Sequence, residues 1–349
     1  MKTRRLALLL TASFVIATAA IAQEVPVRKV PARDLPAPTA DVSAGMQKVI
    51  GGPLQSVWND HPKDAEAWKA WVKTRSDGLL ATLPELRSRL GVKVEPTTIA
   101  GVAAFVVTPS EIPEANRNRL LFHVHGGGYV LFPGESGTRE AILAAAYGKF
   151  KVISVDYRMP PDHPYPAAMD DAMAVWKEVV KTTNPRNIAI FGTSTGGGMT
   201  LAMVLRAKKE GLPLPAATAP GTPWSDMTKT GDTFFTMEMI DNILVSNDGW
   251  LGDAATLYAG GTDLKDPQLS PVYGDFANFP PSILTSGTRD LFLSNTVRVH
   301  RKLRQAGVVS DLHVFEGQSH GQYAGDPYAP ETKEHFGELA AFFDRHLAK

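Results

Sequence analysis

Beyond residue 100 the chain alternates short β-branched apolar runs with longer stretches whose apolar residues recur every three or four positions. The runs fall at 102–107, 120–124, 151–155, 187–191, 282–285 and 311–315, and each predicts a strand. The stretches near 137–148, 166–182, 195–210, 294–306 and 331–347 predict helices. Strands alternating with helices imply a mostly parallel sheet covered on both faces, with chemistry beyond the carboxyl ends of the strands. Residues 42–90 carry a helical pattern marked by Trp58, Trp68, Trp71, Leu79, Leu80 and Leu83, without strand-like alternation. That segment is expected to cover the sheet rather than join it. Residues 227–260 interrupt the rhythm with Phe234, Phe235, Met237, Met239, Ile240, Ile243, Leu244, Trp250 and Leu251. They read as an inserted helical lid, the alternative being ordinary core helices at the sheet edge.

The first residues have another pattern. A basic start, Met1-Lys2-Thr3-Arg4-Arg5, precedes an apolar run over 6–21, and Ala20-Ile21-Ala22 matches the small-x-small site of signal peptidase. The run falls short of the roughly 20 apolar residues of a membrane span. Residues 1–22 are therefore expected to be a signal peptide and the mature chain to begin at Gln23, giving a periplasmic or secreted protein without stable membrane insertion. Residues 23–93 follow as a Pro-rich leader and helical cap, and 94–349 as the main α/β domain.

Charge narrows the partners. Lys plus Arg number 36 and Asp plus Glu 36, so nothing draws a polyanion and no nucleic acid partner is expected. Cysteine is absent, which excludes disulfides, thiolate metal sites and a cysteine nucleophile.

The candidate chemistry begins at Gly192-Thr193-Ser194-Thr195-Gly196, which follows a predicted strand and opens a predicted helix. A serine in so sharp a turn has its hydroxyl lifted clear of the sheet, and the flanking glycines leave room for the turn. A second G-x-S-x-G, Gly317-Gln318-Ser319-His320-Gly321, runs into Pro- and Gly-rich sequence that cannot start a helix at once. In an α/β-hydrolase fold the acid and base follow the nucleophile, and after Ser319 too little chain remains to supply them. Ser194 is the candidate nucleophile. Of nine histidines, His320 lies in a short polar loop just past the last predicted strand. Asp290 ends the strand and turn before it, so the ordered trio is Ser194, Asp290, His320. Gly126-Gly127-Gly128, after the strand at 120–124, would let main-chain N–H groups approach an oxyanion, with Thr195 N–H adding a donor. His123 and His125 also fit the start of a zinc site, but glycines follow instead of further ligands.

These segments, with Asp156-Tyr-Arg-Met-Pro-Pro-Asp-His-Pro-Tyr-Pro-Ala167, Asp266-Pro-Gln-Leu-Ser-Pro271 and Gly287-Thr-Arg-Asp290, resemble the bacterial carboxylesterase branch of the hormone-sensitive-lipase family of α/β hydrolases. The resemblance covers about 95–349 and, more loosely, the helices before it. It implies the same triad, oxyanion donors at Gly127, Gly128 and Thr195, a helical cap, no cofactor or metal, and bracing of the active-site loops through Arg158 and Asp162. Thr193 stands where Asp is common, which puts the chain near a threonine-bearing subgroup. Thr195 replaces the usual Ala and is expected to narrow the pocket, and Asp162 replaces the usual Glu. Tyr129 and Trp224 are expected along the substrate pocket. The implied activity is hydrolysis of small to medium acyl esters or lactones. The alternatives are an amidase or peptidase on the same triad, or an inactive ligand-binding protein of this fold. A homodimer is compatible with the sequence.

Overall fold

The computed structural model describes residues 28–348, so the expected signal peptide lies outside the described residues. Residues 28–36 belong to a separate leading unit without helix or strand, and the helices and strands lie in the unit from Ala37 onward.

Eight strands form one sheet: β1 (Val92–Ile99), β2 (Val102–Pro109), β3 (Leu120–Val124), β4 (Lys151–Val155), β5 (Ile188–Thr193), β6 (Ala217–Gly221), β7 (Ser282–Gly287) and β8 (Ser310–Phe315). Their order is β1-β2-β4-β3-β5-β6-β7-β8. The β1–β2 hairpin joins antiparallel to β4, and every other pairing is parallel. The sequence signals miss β1 and β6. β1, Val-Lys-Val-Glu-Pro-Thr-Thr-Ile, is a polar edge strand where Pro96 is tolerated. β6, Ala-Thr-Ala-Pro-Gly, has almost no β-branched content, yet every residue in it is buried between neighbours. Packing overrides propensity there.

Among the described residues ten α-helices accompany the sheet: α1 (Ala44–Ile50), α2 (Ala65–Leu80), α3 (Leu83–Leu90), α4 (Arg139–Gly148), α5 (Ala167–Thr182), α6 (Thr195–Glu210), α7 (Thr233–Thr236), α8 (Trp250–Ala259), α9 (Leu293–Gln305) and α10 (Pro330–His346). Strand alternation sorts them onto two faces. Phe122 and Val124 of β3, with Ile153 and Val155 of β4, point into one core with Met169, Met173 and Trp176 of α5. Leu121 and Val152, one residue out of phase, point into the other with α4 and α10.

Residues 227–260 are mostly irregular, with α7 and α8 as their helical parts. Phe234 packs in the core against Phe292, while Phe235 and Met239 lie on the surface. Loop bracing also differs from expectation. Asp156 Oδ1 accepts the Gly134 N–H at 2.8 Å and Arg158 pairs with buried Asp171 at 2.8 Å, whereas Asp162 meets Lys69 at the surface.

Candidate active site

Ser194 sits between β5 and α6 with φ 65° and ψ −124°, a backbone conformation that L-residues seldom adopt. Its N–H donates to Gly221 O at 2.9 Å, and its carbonyl accepts the N–H groups of Gly198 and Trp224 at 3.0 and 2.9 Å. A Cβ on either Gly192 or Gly196 would come within 2.1 Å of the Val124 carbonyl oxygen. The turn therefore admits only glycine on both sides of the serine.

The β3 loop runs directly against this turn. Gly127 and Gly128 have φ of 114° and 67°, and a Cβ on Gly128 would meet the Trp250 ring at 2.7 Å. Among the described residues the N–H groups of Gly126, Gly127 and Gly128 make no main-chain hydrogen bond. Thr195 N–H, in the first turn of α6, has no intrahelical carbonyl to meet. The Thr195 side chain is wholly buried and does not border the cavity, so it does not narrow the pocket.

Asp290 follows β7 and His320 follows β8. Asp290 Oδ1 lies 3.1 Å from His320 Nδ1 and accepts Phe292 N–H at 2.8 Å. Oδ2 accepts the hydroxyls of Ser286, at 2.8 Å, and of Thr222. Burial works against ionising Asp290, but His320, Thr222 and the Phe292 N–H outweigh it and hold the carboxyl below its ordinary value. The Phe292 and His320 rings meet in a T-shaped contact with centroids 4.8 Å apart. His320 Nε2 is buried and has no hydrogen-bond partner among the described residues.

Ser194, His320 and Gly126 to Gly128 border one cavity of about 820 Å³. Trp71 and Leu79 of α2 line it, with Leu131, Ile243, Leu244 and Trp250. Of the bulky residues from 42–90 and 227–260, Trp58, Trp68, Phe234, Phe235 and Met239 do not border it. The expected pocket residues Tyr129 and Trp224 do not border it either, and both are buried. A left-handed backbone at Tyr129, φ 59°, turns its ring onto Tyr258 at 3.7 Å, and Trp224 stacks on Phe292 at 5.5 Å.

The second G-x-S-x-G is engaged otherwise. Ser319 is buried away from the cavity, and its hydroxyl accepts Asn242 N–H at 3.1 Å. The early histidines serve the scaffold. His123 contacts Ser154 at 2.8 Å and Glu140 at 3.2 Å. His125 stacks on Tyr157 at 4.2 Å, and burial pushes its pKa down to about 4.

Three residues absent from the sequence reading support the site: Thr222 and Asp241 behind it, and Glu140, which also borders the cavity. Glu140 was findable. It lies three and four residues before Leu143 and Ala144 on the buried face of α4, an unusual place for a lone carboxylate. Asp241 and Thr222 lie in irregular segments without periodicity to mark them.

A family profile described as α/β hydrolase fold matches residues 121–324, more than half of the chain. The crystal structure titled as an esterase E25 is 44% identical, superposes with a TM-score of 0.89, and covers 92% of this chain and 99% of its own. An esterase titled as from the bacterial hormone-sensitive lipase family is 25% identical, with a TM-score of 0.71 over 88% of this chain and 99% of its own. A protein of Acinetobacter venetianus named esterase is 28% identical over 72% of this chain and 82% of its own length. The chain belongs to the hormone-sensitive-lipase-like family of α/β hydrolases.

Proposed function

We propose that this protein is an exported serine carboxylesterase acting on small to medium acyl esters or lactones. Ser194 is its nucleophile, His320 its base and Asp290 the acid that orients the base. The observation that carries this reading is the shared cavity: a serine held in a strained turn, a histidine with an unpaired Nε2 and three glycines all border it. The ester chemistry of the relatives points the same way.

In the first step Ser194 Oγ attacks the ester carbonyl carbon and its proton passes to His320 Nε2. The N–H groups of Gly127, Gly128 and Thr195 receive the oxyanion. The tetrahedral species collapses, the C–O bond to the alcohol breaks, and His320 returns the proton to the leaving oxygen. Water then attacks the acyl-enzyme, again giving a proton to His320, and collapse releases the carboxylic acid and restores the Ser194 hydroxyl. Asp290 holds His320 Nδ1–H and stabilises the imidazolium. The cavity wall from α2 and 243–250 acts as a cap that limits acyl length and keeps bulk water from the oxyanion.

The test is hydrolysis of p-nitrophenyl butyrate by the wild type and by Ser194→Ala. A loss on the order of 10⁴-fold is expected. A Ser194→Ala protein that keeps wild-type turnover would refute the assignment.

A further inference from the structure

Asp241 is a carboxylate with no exposed surface, in the irregular stretch between α7 and α8. Its Oδ1 accepts the N–H groups of Ile243 and Leu244 at 2.8 and 3.0 Å. Its Oδ2 accepts Leu291 N–H at 2.8 Å and His320 N–H at 3.3 Å. Those donors come from three places. Ile243 and Leu244 border the substrate cavity, Leu291 immediately follows Asp290, and His320 is the base itself. Each oxygen takes two main-chain donors, and no side-chain cation pairs with this carboxylate among the described residues. A buried charge without a counter-ion is costly unless hydrogen bonds satisfy it, so this arrangement persists only because four N–H groups converge on it.

We propose that Asp241 is a positioning residue for ester hydrolysis, a knot that holds the acid loop, the base loop and the substrate-facing wall in one register. The proposal rests on the Ser194–His320–Asp290 reading. A carboxylate is needed because all four sites must be acceptors. Asn would turn an amide N–H₂ toward one pair of N–H donors, and a protonated Asp241 would turn an O–H toward them.

The surroundings make that protonation accessible. Burial first, and then the charge of Asp290, push the Asp241 carboxyl up to about 6, while His320 and the main-chain donors pull it back. Asp290 and His320 are the titratable groups that act on it. The knot is therefore intact above about pH 6 and loosens as pH falls through that value. Loosening frees Ile243 and Leu244 from the triad, so substrate binding weakens together with positioning.

Asn242 supplies the control. It ties the same segment to other neighbours: its N–H goes to Ser319, and its side chain binds Val49 O at 2.9 Å and Gln322 Nε2 at 2.7 Å. It does not reach Leu291 or His320. Steady-state kinetics on p-nitrophenyl butyrate between about pH 5 and pH 8 should be compared for the full-length wild type, Asp241→Asn and Asn242→Ala, with melting temperatures measured alongside. Asp241→Asn should lose on the order of 10- to 100-fold in kcat at the alkaline end, and the wild-type rise in KM on acidification should disappear. Asn242→Ala should keep the wild-type kcat and pH profile even if its melting temperature falls. An Asp241→Asn enzyme with wild-type kcat and profile overturns the proposal, as does an Asn242→Ala enzyme with the same losses. If Asp241→Asn does not fold, the wild type decides: KM rising as pH falls through about 6 supports the knot, and a flat KM overturns it. A wild type that turns over while Asp241→Asn is indifferent defeats this proposal alone, whereas a wild type without turnover defeats the esterase reading as well.

Discussion

Glu140 Oε1 accepts the hydroxyl of Thr193 at 2.7 Å, so a carboxylate on α4 grips the residue directly in front of Ser194. Its Oε2 takes Thr193 N–H at 3.1 Å and stands 3.2 Å from His123 Nε2. Burial opposes ionisation of Glu140, but His123 and Thr193 overcome it and keep the carboxyl below its usual value. Where relatives often carry Asp before the nucleophile, this chain has a neutral hydroxyl and takes its carboxylate from α4. Glu140→Gln and Thr193→Val should each lower kcat by roughly 10-fold, and the double variant should lose little more than either. A double-mutant cycle on kcat checks this. Additive losses would mean that the two residues act independently.

The positions of the proposed trio Ser194, Asp290 and His320 were legible because each lies just past a predicted strand, and strand ends are fixed by apolar runs. The turn glycines were legible for a steric reason that the structure bears out at Gly192 and Gly196. Side-chain direction was not legible. Tyr129 follows the glycine loop directly, yet its left-handed backbone sends the ring into the core. β6 was invisible because Ala-Thr-Ala-Pro-Gly owes its strand conformation to burial between β5 and β7, a tertiary effect. Asp241 acts through main-chain donors, and such donors leave no mark on the sequence.

Acyl-chain preference should follow the wall that closes the cavity. Trp71 packs tilted against Trp250, ring centroids 5.2 Å apart, and carries the Arg75 guanidinium 3.6 Å over its ring, so both of its neighbours hold its position in the wall. Trp71→Ala should shift the optimum among p-nitrophenyl esters, tested from about C2 to C16, toward longer chains. An unchanged profile would mean that Trp71 does not set acyl length.

Acid should destabilise the fold. Burial lowers His125 to about 4 and His335 to about 3, against about 6.5 in the unfolded chain. The unfolded state therefore binds more protons in this window, and stability is lost as pH falls from about 6.5 toward 4. Each histidine costs about 3 kcal/mol over that range, and the raised Asp241 returns roughly 2 kcal/mol. Urea unfolding at about pH 7.5 and 4.5 should show a net loss of a few kcal/mol. Equal midpoints would contradict the burial account.

The export proposal rests on the basic start and apolar run of the first residues. Protein recovered from an exporting host should begin at Gln23. N-terminal sequencing that finds Met1 on a cytoplasmic product would remove the export proposal.

On the proposed mechanism Ser194, and not Ser319, forms the acyl-enzyme. Trapping the protein with phenylmethylsulfonyl fluoride and mapping the adduct by peptide mass spectrometry tests it directly. One adduct per chain is expected, on the peptide carrying Ser194, appearing in step with loss of esterase activity and absent from Ser194→Ala. An adduct on Ser319, or full inactivation with Ser194 unmodified, would contradict it.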